Sequence, residues 1–144
     1  MTFISKSCEY SLRAALYIAA QEGGSYVSIK AISKELGISF HFLTKLLQKL
    51  TEHGLLKSYR GPSGGVTLAK PAKKISLYDI IVAQEEGELF SSCVLGLAGC
   101  GARTPCPLHK QWMTERKRLE KMFKRATLDK LAVQVARGEL RLAN

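Results

Sequence analysis

The chain has 144 residues, 46% of them hydrophobic and 24% charged, and a formal net charge of +10. That length argues for one domain, with room for an appended arm, able to bury a core without staples. The composition excludes a disordered chain, and no apolar run reaches the roughly 20 residues needed to cross a bilayer.

The charge is unevenly spread. Residues 1 to 74 carry 11 Lys and Arg against 4 acids, residues 75 to 106 carry 1 against 4, and residues 107 to 144 carry 10 against 4. A basic first half is the electrostatic footprint of a phosphate-backbone binder, although a solvated face with no partner gives the same balance. The apolar run from Ala14 to Ala20 is crowded by Glu9 and Arg13, and no small-residue cleavage pattern follows it. It is therefore not read as a signal peptide, and the expected location is the cytoplasm.

From Ser11 to about Gln21, Leu12, Ala15, Leu16 and Ala19 recur at helical spacing, which predicts a first helix ending near Gly23 and Gly24. Ser28 can cap a short second helix carrying Ile29, Ile32 and Leu36 on one face, with Gly37 closing it. A tight turn through Ile38 and Ser39 leads into a third helix, where Leu43, Leu46, Leu47 and Leu50 form an apolar stripe before Gly54. Two short helices joined by a glycine turn outline a helix-turn-helix.

The other face of the third helix offers Ser39, His41, Thr44, Lys45, Gln48 and Lys49. Hydroxyl, imidazole, amide and ammonium groups at that spacing can meet base edges and phosphates in a major groove; an ordinary solvent face is the alternative. Residues 55 to 60 and 66 to 69 then read as two strands joined by Gly61, Pro62, Ser63, Gly64 and Gly65. A helix-turn-helix followed by a hairpin is a winged helix. Ser28, Arg60, Ser63 and the Gly64 backbone join the candidate contacts to double-stranded DNA. A plain surface hairpin with a structural Arg is the other reading.

Lys70, Lys73 and Lys74 make a basic connector. Ser76 to Asp79 resembles a capping box opening a fourth helix, with Ile80, Ile81 and Val82 expected to be buried and a stop near Glu85, Glu86 and Gly87. Cys93, Cys100 and Cys106 follow, with six and then five residues between them, among glycines and prolines that exclude a continuous helix. Three thiolates from one loop can grip zinc or an iron-sulfur cluster. The absence of a close C-x2-C pair argues against a zinc finger, and three thiolates would leave one cluster position for a weaker ligand. Zinc stays open, and inert cysteines packed as small hydrophobes are the plain alternative.

Lys110 to about Arg125 is predicted as a helix with an apolar strip of Leu108, Trp112, Leu119, Met122, Phe123 and Ala126. So exposed a helix is expected to find no partner inside one small winged domain. Packing against its copy in a two-fold homodimer would bury the strip and suit a palindromic operator; folding back on its own chain is the alternative. Thr127 is expected to cap a last helix through Arg137. The fold class is thus mainly α with a small β-hairpin wing. Residues 1–86 form the DNA-binding domain, 87–109 the cysteine loop, and 110–144 the dimerisation helix and a C-terminal helix. No nucleophile-base pair, phosphate loop or catalytic carboxylate pair argues for an enzyme.

Ser5 and Lys6, the turn Gly37 to Ser39, Gly54 and Leu55, the wing from Arg60 to Gly65, Asp79 and Ile80, and the three cysteines followed by Leu108, His109 and Trp112 together carry a resemblance. The chain resembles the bacterial winged-helix regulators that include the iron-sulfur cluster regulator IscR and the nitric-oxide-sensitive repressor NsrR. The resemblance implies a homodimeric transcription regulator, a repressor, with an iron-sulfur cluster (4Fe-4S or 2Fe-2S) held by Cys93, Cys100 and Cys106 beside the dimerisation helix. For the fourth ligand it implies His109 in one branch and Glu9, reaching over from the other subunit, in the other; Cys8 stands next to Glu9. Thr44 departs from the first branch, which has a Glu there, so that branch's dual DNA preference is not expected. A thiol- or zinc-based regulator without a cluster, and a winged helix used for protein contact, are the competing functions.

Overall fold

The computed structural model describes residues 3–21, 24–84, 87–101 and 103–144. Helix α1 (Lys6–Ala19) starts earlier than Ser11 because the Ser5 hydroxyl accepts the Cys8 backbone N–H at 3.1 Å and caps it. It ends at Ala19, before the expected stop, of which Gly23 lies outside the described residues. Helix α2 (Ile29–Leu36) is capped by Ser28, whose hydroxyl accepts the Ala31 N–H, and is closed by Gly37 in the left-handed region. Helix α3 (Phe40–Glu52) buries Leu43, Leu46, Leu47 and Leu50. Leu43, Leu47 and Leu50 join Ala14, Ile18, Ile32, Val66, Ile75, Ile80 and Leu128 in one core, each large side chain contributing about 1.5–3 kcal/mol.

Strands β1 (Leu56–Tyr59) and β2 (Gly65–Leu68) pair antiparallel, Leu56 opposite Leu68 and Tyr59 opposite Gly65. Val27 adds a bridge to Val66 through two hydrogen bonds of 2.8 Å, which ties the hairpin to the segment entering α2. Two glycines are needed here for space. A Cβ on Gly65 would lie 2.1 Å from the Val27 carbonyl oxygen, and one on Gly64 would lie 2.2 Å from that of Tyr59.

Helix α4 (Leu77–Ala83) opens with a complete capping box between Ser76 and Asp79. Ile80 and Ile81 are buried, but Val82, expected with them, is 39% exposed. Three successive residues turn through most of a helical circle, so a single buried face cannot take all three. Of the expected stop, Glu85 and Glu86 lie outside the described residues; the helix ends at Ala83. The side-chain amide of buried Gln84 donates to the Leu46 carbonyl at 3.1 Å and ties α4 to the middle of α3.

A 3-10 turn (Gly87–Phe90) leads into the cysteine loop and then helix α5 (His109–Arg125), in which no residue is fully buried. Contrary to expectation, α5 does find a partner in its own chain. It packs on α4 and the 3-10 turn, with Leu119 and Phe123 against Cys8, Ile81 and Phe90. Leu108 and Met122 remain exposed. Helix α6 (Leu128–Ala136) packs on α1. Thr127 stands at its N-cap position without capping it: its hydroxyl donates to the Asp129 carboxylate instead of accepting a backbone N–H.

Candidate nucleic-acid interface and cysteine centre

Helix α3 and the hairpin meet at a groove. Thr44, Gln48 and Thr51 line one wall, Ser58 and Arg60 the other, and Ile29, Leu47 and Val66 lie at its floor. The Leu43, Leu46, Leu47 and Leu50 stripe turns the polar positions of α3 outward, so His41, Lys45 and Gln48 are exposed and Thr44 and Lys49 half-buried. Thr44 donates to the Phe40 carbonyl and the Gln48 amide reaches Glu52 at 3.4 Å. Ser39 sits exposed at the N-cap of α3 with no side-chain capping bond. The Ser28 hydroxyl is occupied as the cap of α2, and Ser63 is exposed at the wing tip beside Gly64, whose N–H donates to Gly61. Thr44 and Gln48 of α3 and Arg60 of the wing therefore share one groove. Ser58 and Thr51 line it too and are absent from the sequence-based set; the i, i+4, i+7 spacing of Thr44, Gln48 and Thr51 on α3 is the signal for Thr51, whereas Ser58 shares a strand face with buried Leu56 and carries none.

The cysteine loop brings three sulfurs and a histidine together. Cys93, Cys100, Cys106 and His109 line one narrow cavity with Leu97, Gly99, Gly101 and Thr104. Within it the donors form two pairs: Cys93 Sγ lies 3.6 Å from Cys106 Sγ, and Cys100 Sγ 3.4 Å from His109 Nδ1. Among the described residues, no three His, Cys, Asp or Glu side chains are close enough to hold one metal ion. The backbone N–H groups of Leu97 and then Leu95 hold the Cys93 thiol below its usual pKa, against the opposing effect of burial. The loop is fastened to α5 at Ser92, whose carbonyl accepts Trp112 Nε1 at 2.8 Å and Arg116 at 3.0 Å. Arg116 Nη1 also reaches Cys100 Sγ at 3.3 Å, a contact the sequence did not announce.

Glu9 is not part of this assembly within the chain. It pairs with Lys6 at 3.1 Å and lines a crevice with Tyr10, Arg13, Arg141 and the C-terminal residues. Cys8 is fully buried among Ile4, Ile81 and Phe90.

A family model described as "Iron-dependent Transcriptional regulator" matches residues 4–134. The chain belongs to this Rrf2 family. It is 33% identical over 122 residues to the regulator IscR of Escherichia coli, covering 85% of this chain and 75% of the relative. Among solved structures it is similar to CymR, the global cysteine regulator of B. subtilis, with a TM-score of 0.79 and 27% identity over 92% of this chain and 98% of that one. It is also similar to IscR of T. potens, with a TM-score of 0.75 and 25% identity over 96% and 91%. This Rrf2 member is accordingly a winged-helix, DNA-binding transcription regulator and not an enzyme. No helix of the described residues is long and apolar enough to cross a membrane.

The donor set fits an iron-sulfur group in kind. Three sulfurs and an imidazole border one cavity, and the glycines at 96 and 99 have no atom within 4 Å of an added Cβ, so the loop backbone has open space around it.

Proposed function

We propose that this Rrf2 member is a homodimeric repressor that reads a palindromic operator through α3 and the wing, and takes its input at an iron-sulfur cluster held by Cys93, Cys100 and Cys106. The observation that carries the reading is the shared cavity of the three sulfurs and His109 at the start of α5. His109, 3.4 Å from Cys100, is the candidate fourth ligand within the chain. Glu9, held by Lys6, would serve only from a second subunit. Exposed Leu108 at the N-cap of α5 and Met122 on the helix, with Val94, Leu95 and Leu97 on the loop, supply apolar surface for a second copy.

When bound, such a cluster supplies a centre that nitric oxide, oxygen or iron shortage can attack. The chain's own contribution is to link that centre to DNA. Helix α4 packs on α3 and also on α5 and the 3-10 turn, so a change in the loop bears on the recognition helix. A coupling of this kind is worth about 5- to 150-fold in affinity. His41, Thr44 and Gln48 would contact bases, and Lys45, Lys49, Arg60 and the connector lysines phosphates.

The test is protein purified without oxygen, with iron and acid-labile sulfide counted on the same sample and operator affinity measured before and after cluster removal. Matched iron and sulfide with a change in affinity support the proposal; a colourless protein with free thiols or zinc discards it. A second reading is favoured by the 3.6 Å separation of Cys93 and Cys106. Those two thiols could close to a disulfide, giving two electrons and two protons to a peroxide that leaves as water. Iron-free protein whose operator affinity changes with peroxide, and recovers with a thiol reductant, would select that reading.

A further inference from the structure

The three loop cysteines differ in what touches their sulfurs. Cys93 and Cys106 face each other, and Cys93 is further held by backbone N–H groups. The Cys100 sulfur lies instead between His109 Nδ1, at 3.4 Å, and the guanidinium of Arg116, at 3.3 Å. His109 and Arg116 are seven residues apart on α5, two turns along one face. The same Arg116 nitrogen donates to the Ser92 carbonyl at 3.0 Å, so one cation binds the entry of the loop to its middle. Trp112 already supplies that carbonyl with a donor at 2.8 Å. What Arg116 adds is a fixed positive charge against one sulfur.

We propose that Arg116 is a positioning residue for the cluster centre, holding Cys100 in place as a ligand and setting the charge felt there; the inference rests on the cluster reading above. Hydrogen bonds and charge at ligand sulfurs tune both the retention of a metal centre and its potential. A cation beside Cys100 stabilises the reduced, more negative form, so it raises the reduction potential and slows iron loss. A residue that only stapled the loop would do neither beyond what Trp112 does.

The experiment compares wild type, Arg116→Gln, Arg116→Lys and Trp112→Phe, all purified without oxygen. It measures iron release to a chelator from the visible absorption and the midpoint potential by mediated titration, with thermal unfolding as the check on folding. Arg116→Gln should lose iron about 10- to 100-fold faster, with a potential shifted to more negative values. Arg116→Lys, which keeps the charge but not the fork, should recover the potential and part of the retention. Trp112→Phe should leave the potential unchanged. Wild-type retention and potential in Arg116→Gln would overturn the proposal. So would both changes appearing equally in Trp112→Phe, which would make Arg116 a loop anchor only. A wild-type protein holding no iron would instead sink the cluster reading itself.

Discussion

In α3, Leu43, Leu46, Leu47 and Leu50 are all buried, whereas from residue 91 to 108 Cys93 alone is buried among the described residues. The winged-helix half is shaped by apolar burial, which acts without direction and over many contacts at once. The cysteine half is held by a handful of directed contacts: the Cys93–Cys106 and Cys100–His109 pairs, the Ser92 carbonyl and the Arg116 guanidinium. A recognition surface needs the first kind of support to keep its groups in register. A sensing loop built from the second kind can be rearranged by one chemical event, since each lost contact is a large share of the total.

That contrast is open to direct attack. Leu50→Ala should cost about 2–5 kcal/mol in denaturant unfolding, because it empties a fully buried site in the core. Arg103→Ala, exposed on the cysteine loop, should stay within about 0.5 kcal/mol, and an equal loss at the two sites would erase the distinction between the halves. Two glycines sharpen it next. Gly65→Ala drives a Cβ into the Val27 carbonyl and should cost about 3 kcal/mol, with loss of wing pairing seen in amide exchange. Gly99→Ala meets nothing within 4 Å and should cost only about 1 kcal/mol, from its left-handed backbone.

Smaller effects are expected within the DNA surface itself. Lys49→Ala should weaken all sequences about equally and lower the salt slope by about 1, whereas Gln48→Ala should lose about 1–3 kcal/mol of discrimination at one position. Binding to a panel of operator variants at several salt concentrations separates the two, and a uniform loss from both substitutions would remove the division of roles. The smallest effect is at α6. The Thr127 hydroxyl holds the Asp129 carboxyl below the usual carboxylate range. Its contribution to stability is therefore present above that range and lost as the pH falls through the lowered value. Thr127→Val should flatten the acid limb of a stability profile slightly, and an unchanged slope would remove that contact from the account.

Much of the winged half was legible because its signals are local. Ser28 and Gly37 bound α2, the leucines of α3 mark its buried face, and Ser76 with Asp79 opens α4. A single local signal misleads where a neighbouring residue or a distant segment overrides it. Val82 continues an apolar run but the helical turn carries it out to solvent, and Thr127 has the chemistry of a cap but Asp129, two residues on, takes its hydroxyl. The strip of α5 has no visible partner along the sequence, because the Ile81 and Phe90 surface it meets comes from separate segments.

The sequence by itself determined the order and kind of the elements, the wing and the three-cysteine loop, since caps, glycine turns and apolar spacing act over a few residues. Only the tertiary structure decided which groups face one another. Ser58 joins Thr51 and Gln48 in one groove, and Arg116 stands between Ser92 and Cys100. Those meetings depend on how α3 packs on the hairpin and α5 on α4, and side-chain packing between distant segments leaves no periodic mark along the chain.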